Sequence, residues 1–494
     1  MSGPRPMAGT SRPIGAAPVD WSLVAQLRAR VAARLDTERA LPGRSGPGGA
    51  STGQSTSPGG GLSEADERAL AARLIGQEME RWALAQATAG WPAADRETER
   101  ALAAAVTAAL FGMGRLQPLL DREDVENIHI HGADRVVLEL AGGRLEAAAP
   151  VAASDAELVE LVTGWAARAG QTGREFSPAH PLLNLRLPAG GPLGSRLAAV
   201  MEVTGRPTVA IRRHRLTHVG LDDLLALGTL TPVLHGFLRA AVRAGCNIVI
   251  SGAPAAGKTT LLRALATEIP PSEHVVTVEE EHELGLHVAD PDRLVTAMET
   301  RQANAEGVGG IGLHALLAQA LRHSPSRVLV GEVRGGEVTA LLAALSNGAA
   351  GGMCTLHARS APAVLTRIAQ LAQLADPPLA AEAVWRFVSD AVDLIVHLGR
   401  DATEAGGTRY VSQVLEVGAI GESGLPDTTS VFAPNETDNR AGPAHSPSTG
   451  LRRRLGRAGF TTVPSTVPST VTSAGPSLGS AVSDRLRPPA TVSQ

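Results

Sequence analysis

Lysine is almost absent from this chain. Of its 45 basic side chains 44 are arginine, and Lys258 is the only lysine in 494 residues. With abundant Ala and Gly this reads as the coding bias of a GC-rich genome. Cysteine is nearly as scarce: Cys246 and Cys354 lie far apart, each beside an apolar run. Two such residues build no disulfide framework, and no CxxC pair exists to hold zinc. Both are expected as small core residues in a reducing compartment. An N-terminus mixing Pro, Gly and Arg reads as lacking a secretory signal, so none is expected there. Long apolar runs are missing too. The strongest, 101–114, falls short of the ~20 residues that a bilayer-spanning helix needs, so any membrane contact is expected to be peripheral. The net charge is only −4, which argues against a chain dominated by nucleic-acid binding.

What is present is ample core material, with 44% apolar and 19% charged residues. The length implies two or three folded units with flexible ends. Residues 1–62 are Gly/Pro/Ser-rich and expected to be mostly disordered, interrupted by a short helix where 21–35 carry apolar residues at helical spacing. Helices are expected over 63–115. Residues 116–215 read as a small α+β domain, with strands at 127–131, 136–139, 183–187 and 208–212 and a helix at 155–169. A linker is expected over 216–232. Residues 233–420 alternate apolar strands (247–251, 275–279, 328–331, 353–356, 392–398) with helical runs (260–268, 314–322, 338–346, 363–374), the pattern of a parallel sheet with covering helices. Residues 421–494 are Ser/Thr/Pro-rich, carry the repeat VPSTVPST at 463–470, and hold too little apolar material for a core. The basic stretch LRRRLGR at 451–457 reads as part of that solvated tail, with acidic lipid or nucleic acid as the alternative.

The strongest local signal is a phosphate loop. The buried strand NIVIS at 247–251 runs into Gly252-Ala253-Pro254-Ala255-Ala256-Gly257-Lys258-Thr259, which fits GxxxxGK[ST], and Thr260 then opens a helix. The glycines let backbone N–H groups turn inward toward phosphate oxygens, and the helix N-terminus adds partial positive charge. Lys258 is expected on the β and γ phosphates of a nucleoside triphosphate, most simply ATP, and Thr259 on Mg²⁺. In a chain that otherwise uses arginine, the sole lysine falls where a planar guanidinium fits poorly.

Acids and a histidine end the neighbouring strands. Glu332 closes VLVGE, where a nucleotide-binding sheet places the carboxylate that orients or deprotonates the attacking water and lies beside the metal. Glu279, Glu280 and Glu281 end VTVEEE, and adjacent carboxylates imply a cation or arginines nearby. His357 follows MCTL at another strand end, within range of a γ phosphate or a water.

Together these pieces resemble the ATPases of type II and type IV secretion and of type IV pili, above all the CpaF-like ATPases of tight-adherence pilus assembly. The likeness rests on GAPAAGKTT at 252–260, VTVEEEHEL at 276–284, LRHSPSRVLVGEVRGGE at 321–337 and MCTLHARS at 353–360, similar to that family's Walker A, Asp box, Walker B and His box. METRQANAEG at 298–307 resembles the segment carrying a family arginine, here Arg301. Upstream, LLDREDVENIHIHGADRVVLE at 119–139, LNLRLP at 183–188, GSRL at 194–197 and VAIRRH at 209–214 continue it, so the resemblance spans about 116–417. It implies an α/β chain with a RecA-like P-loop NTPase core behind a small α+β N-terminal domain. It also implies a homo-hexamer hydrolysing ATP with Mg²⁺ at the inner face of the cell membrane, working on a membrane platform protein without a stable nucleic-acid partner. By motif match Glu332 is catalytic, Glu279 and Glu280 form the Asp box, and Glu280 and Glu332 join Thr259 near the metal. His357 senses the γ phosphate, and Arg212, Arg213 and Arg301 neutralise charge on it. Pro254, Ala255 and Ala256 depart from the family's usual Thr, Gly and Ser, and Ala255 is strained wherever φ is positive. Glu280 replaces Asp, Arg359 replaces Asn, and Val308 and Gly310 replace charged residues. A nucleotide-gated scaffold with little turnover and a conjugation-type DNA-transfer ATPase are the alternatives.

Overall fold

A computed structural model describes residues 19–40, 63–141, 143–168, 175–213, 219–304, 306–346, 350–401 and 407–461. They form two compact units, divided between residues 214 and 215.

Three helices open the first unit: α1 (Trp21–Ala40), α2 (Glu64–Thr88) and α3 (Arg96–Phe111). On α1, Val24, Leu27, Val31 and Leu35 recur at three- and four-residue intervals and pack with Leu70, Leu74, Leu102 and Val106 of the other two, the stripe that makes a helix amphipathic. The side chains of Ser63 and Asp95 cap α2 and α3. Helix α4 (Gln117–Asp121) leads into β1 (Val125–His131), β2 (Arg135–Leu140) and β3 (Leu145–Ala148). Helix α5 (Asp155–Arg168), β4 (Leu182–Leu187), β5 (Ser195–Val200) and β6 (Thr208–Arg213) follow. The sheet is antiparallel throughout, in the order β3-β2-β1-β6-β5-β4. Strand alternation turns Leu183, Leu185, Leu187, Val209 and Ile211 inward, into one core with Leu158, Val162 and Trp165 of α5.

The second unit runs α6 (Leu221–Ala226), α7 (Pro232–Arg243), β7 (Ile248–Gly252), α8 (Lys258–Ala266), β8 (Val275–Glu279), α9 (Leu286–Ala289), β9 (Val295–Glu299), α10 (Leu313–Ala320), β10 (Arg327–Val333), α11 (Val338–Ser346), β11 (Met353–His357), α12 (Ala363–Ala372), α13 (Ala381–Ala391), β12 (Leu394–Arg400), β13 (Arg409–Ile420), β14 (Pro426–Pro434), β15 (Ala441–Pro443) and α14 (Thr449–Arg457). Its sheet order is β15-β14-β13-β12-β7-β11-β10-β8-β9. From β12 to β9 the pairs are parallel, and from β12 to β15 they are antiparallel. Both faces are covered, so the central strands are near-continuous apolar runs. Ile248 and Ile250 join the core under α6, α7, α8 and α14, and Val249 joins the opposite core under α10, α11, α12 and α13. Cys246 and Cys354 are buried and free, and burial pushes both thiols up to about 12. This is the expected α/β architecture.

Two boundaries differ from the sequence expectation. The linker expected over 216–232 holds α6, whose Leu221 and Leu224 are core residues. The tail expected to lack a core from 421 is folded through residue 461. Val431 and Phe432 of β14 and Leu451 and Leu455 of α14 enter the same core as the phosphate-loop helix. The LRRRLGR stretch is thus a docked helix, and its Arg454 pairs with Asp393 at 2.5 Å and donates to Gly245 O at 3.0 Å. Few apolar residues suffice there because each one is fully placed against α7 and the sheet. The 463–470 repeat and most of residues 1–62 lie outside the described residues, α1 excepted. Among the described residues no helix is long and apolar enough to cross a membrane.

Candidate functional site

The phosphate loop starts where β7 ends. β7 lies between β12 and β11 and is buried along its length. Its carboxyl end opens at the sheet edge where open α/β folds take ligands. Gly252 has no room for a side chain, since a Cβ there would stand 2.8 Å from Leu398 O. Gly257 caps α8 at φ 93°, and the first N–H groups of that helix have no intrahelical acceptor. Ala255 sits at φ 57°, so the residue that departs from the family's glycine does carry a left-handed backbone.

Lys258 is buried and turned back on the loop. Its ammonium donates to Gly252 O at 3.4 Å and Ala253 O at 3.0 Å, and lies 3.1 Å from His357 Nδ1. Burial lowers its pKa, and the charge of Glu332 opposes that shift. His357 reaches it because β11 pairs in parallel with β7, which sets His357 opposite Gly252.

Glu332 lies on β10, one strand further along. Its Oε1 is 2.8 Å from His357 Nε2, but without hydrogen-bond alignment, and that buried oxygen has no hydrogen-bond partner. Its Oε2 accepts from Arg334 at 2.8 Å, and the same guanidinium donates to Glu280 Oε2 at 2.7 Å. Burial pushes the Glu332 carboxyl up, but Arg334, His357 and Lys258 together outweigh it and hold the net shift downward. The hydrogen bond to Glu332 raises Arg334 in turn. Glu332 is therefore an ionised carboxylate with one oxygen clamped by Arg334 and the other buried beside His357 without a hydrogen bond.

The two Asp-box candidates separate. Glu280 faces Arg334, whereas Glu279 is buried and its Oε2 accepts from the N–H groups of Glu283 and Leu284, both at 2.8 Å. Glu279 thereby fixes the turn after β8, and its Oε1 has no hydrogen-bond partner. Arg301 is exposed and donates to Gly309 O of its own loop at 2.6 Å. In the first unit, Arg213 donates to Gly190 O at 3.2 Å, Val125 O at 3.1 Å and Arg122 O, so its guanidinium braces backbone. Arg212 points to the exposed face of its sheet. There it stands directly across from Arg196, which stands across from Arg186.

The loop suits a polyphosphate: it offers one ammonium and a helix N-terminus. Among the described residues no group of three or more His, Cys, Asp or Glu is placed to hold a metal ion. That is compatible with Mg²⁺, which is usually held by one or two protein oxygens plus substrate phosphates.

Comparison with known proteins adds the family. The model of the type II/IV secretion system protein family matches residues 114–455. The chain belongs to that family. A Mycobacterium tuberculosis protein named for conjugal transfer is 33% identical over 62% of this chain and 84% of its own length. The type IV secretion system protein PtlH of Bordetella pertussis is 30% identical over 61% and 93%. The crystal structure of the VirB11 ATPase from Brucella suis, in complex with sulphate, is 28% identical over 63% and 96%, with a TM-score of 0.33. The family match bears out the type II/IV secretion family inferred from the motifs.

Sequence reading missed Arg334, Arg186, Arg196, His397 and Arg409. Arg334 had a signal, standing two residues beyond Glu332 and directly after the strand that carries Glu332. Arg186 and Arg196 are in register with Arg212 only once the antiparallel pairing is known. His397 sits opposite Ser251 across β12 and β7, and its Nδ1 is 2.9 Å from the Ser251 hydroxyl. Arg409 comes from β13, far along the chain.

Proposed function

We propose that this chain is the ATP-hydrolysing motor of a type II/IV secretion or tight-adherence pilus assembly system, coupling hydrolysis to pilin assembly or protein export. One observation carries the reading: Lys258, His357, Glu332, Arg334 and Glu280 form one connected polar chain at the mouth of the phosphate loop. When nucleotide enters, Lys258 exchanges two loop carbonyls for phosphate oxygens at little desolvation cost, since it is already buried. Thr259, Glu280 and Glu332 are the groups that would hold Mg²⁺, which would supply charge neutralisation on the phosphates. The Glu332 carboxylate, whose buried Oε1 has no hydrogen-bond partner, orients a water and takes its proton. His357, 2.8 Å from that oxygen, registers whether the γ phosphate is present. Arg301 and Arg212 are the arginines to neutralise phosphate charge, while Arg213 acts through the backbone it braces.

The family resemblance further supports a homo-hexamer at the inner face of the cell membrane, attached through an inner-membrane platform protein. The names of the conjugal-transfer relatives favour a second reading, a DNA-transfer ATPase. The net charge of −4 weighs against it, and salt-sensitive DNA binding by the purified chain decides it. The main test is steady-state ATP turnover. Glu332→Gln is expected to lose about a hundredfold or more in kcat while still binding nucleotide. No ATP turnover by wild type, with Glu332→Gln no slower, overturns the enzyme reading and leaves a nucleotide-gated scaffold, whereas equal and substantial turnover in the two overturns the role of Glu332 alone.

A further inference from the structure

The phosphate loop contains a strained residue and a tether from a distant strand. Ala255 holds φ 57°, a left-handed conformation that glycine adopts freely and alanine resists, because its Cβ crowds the backbone. The side chain is exposed, so packing does not hold it there. The carbonyl of the same residue accepts a hydrogen bond from Arg409 Nε at 3.1 Å. Arg409 touches the loop a second time, since its Cδ lies 3.3 Å from where a Cβ on Gly257 would stand.

Topology explains how a residue 154 positions away reaches the loop. β12 runs parallel to β7, with Leu398 opposite Gly252. β13 runs antiparallel to β12, with Arg409 opposite Arg400. The first residue of β13 therefore lies at the same sheet edge as the last residue of β7. A positively charged side chain there can only approach the loop through an acceptor, and the Ala255 carbonyl is that acceptor.

We infer that Arg409 is the positioning residue that keeps the phosphate loop in its binding shape, by pinning the Ala255 carbonyl in a conformation that alanine disfavours. Should Ala255 relax toward negative φ, the adjoining peptides rotate and the loop's N–H groups no longer converge on one point. The charge-assisted bond from Arg409 opposes that relaxation, and the loop is ready before the ligand arrives. This rests on the nucleotide-binding reading above, and it ties the antiparallel extension of the sheet to the site.

The test is a double-mutant cycle on the full-length chain: wild type, Arg409→Met, Ala255→Gly and the pair. Methionine keeps an apolar stem over Gly257 and removes the donor. Two quantities are read, the Kd of a fluorescent ATP analogue and the hydrogen–deuterium exchange of the 252–260 segment without nucleotide. Arg409→Met is expected to weaken binding about five- to tenfold and to speed loop exchange. In the Ala255→Gly background both effects shrink to about twofold or less, because glycine needs no pinning. Equal effects of Arg409→Met in both backgrounds, or none in either, overturn the inference. A wild-type chain that binds no nucleotide overturns the proposed function instead, and the exchange arm then still decides the role of Arg409. Unchanged melting temperatures confirm that the exposed substitutions leave the fold intact, whereas a large drop confined to Arg409→Met assigns it to stability and overturns the positioning role.

Discussion

The two halves of the second unit's sheet are made differently. The parallel half, β7 through β9, is built from near-continuous apolar strands covered by helices and buried on both faces, except for the half-buried edge strand β9. The antiparallel half, β13 through β15 with α14, mixes polar and proline residues with a smaller set of core residues: Val411, Val414, Val431, Phe432, Ala441, Leu451 and Leu455 in one core, and Leu415 and Val417 in the other. The parallel half supplies Lys258, Glu280, Glu332, Arg334 and His357. The antiparallel half supplies Arg409 and closes the sheet beyond β12. One half presents the chemistry, and the other holds the loop that receives it.

The comparison breaks most easily at Phe432, which is fully buried and meets Phe237 of α7 with ring centroids 5.1 Å apart. If the antiparallel half were a dispensable appendage, Phe432→Ala would cost little. As an integral part of the core, it is expected to lose about 3–5 kcal/mol, read as a lower melting temperature of the whole unit. A separate low-temperature transition, with the rest unchanged, would show an independent appendage.

His397, on the seam strand β12, sharpens the comparison. Burial, with the charge of Lys258 second, lowers its pKa from 6.5 to about 4. The folded chain keeps it neutral while the unfolded chain protonates it, so this group's stabilisation is full above about pH 6.5 and is lost as pH falls from there toward 4. Melting experiments at pH 7 and pH 5 are expected to show wild type losing up to about 2 kcal/mol more than His397→Asn. Identical pH dependence in the two proteins would contradict a buried, neutral His397.

The parallel half was legible because its strands are apolar runs of the right length and its motifs sit at their ends. Strands expected at 275–279 and 353–356 appear as Val275–Glu279 and Met353–His357. The antiparallel half was not legible. A helix reading TGLRRRLGR buries only two leucines, and that signal is indistinguishable from a basic tail until α7 is in place to receive them. The site divides in the same way. Lys258, Glu332 and His357 follow from motif and strand end, whereas Arg409 depends on a register that no local pattern encodes. Glu279 and Glu280 read alike in sequence, and only burial assigns one to the turn and the other to Arg334.

The central claim is that the loop from Gly252 to Thr260 grips a nucleoside triphosphate through its single lysine. Titration of wild type and Lys258→Arg with a fluorescent ATP analogue tests it most directly, because the charge is kept and only its shape changes. The account predicts saturable binding by wild type, weakened about thirtyfold in Lys258→Arg, since a planar guanidinium cannot replace an ammonium enclosed by Gly252 O, Ala253 O and His357. Equal affinity in the two proteins, or no binding by wild type, would contradict it.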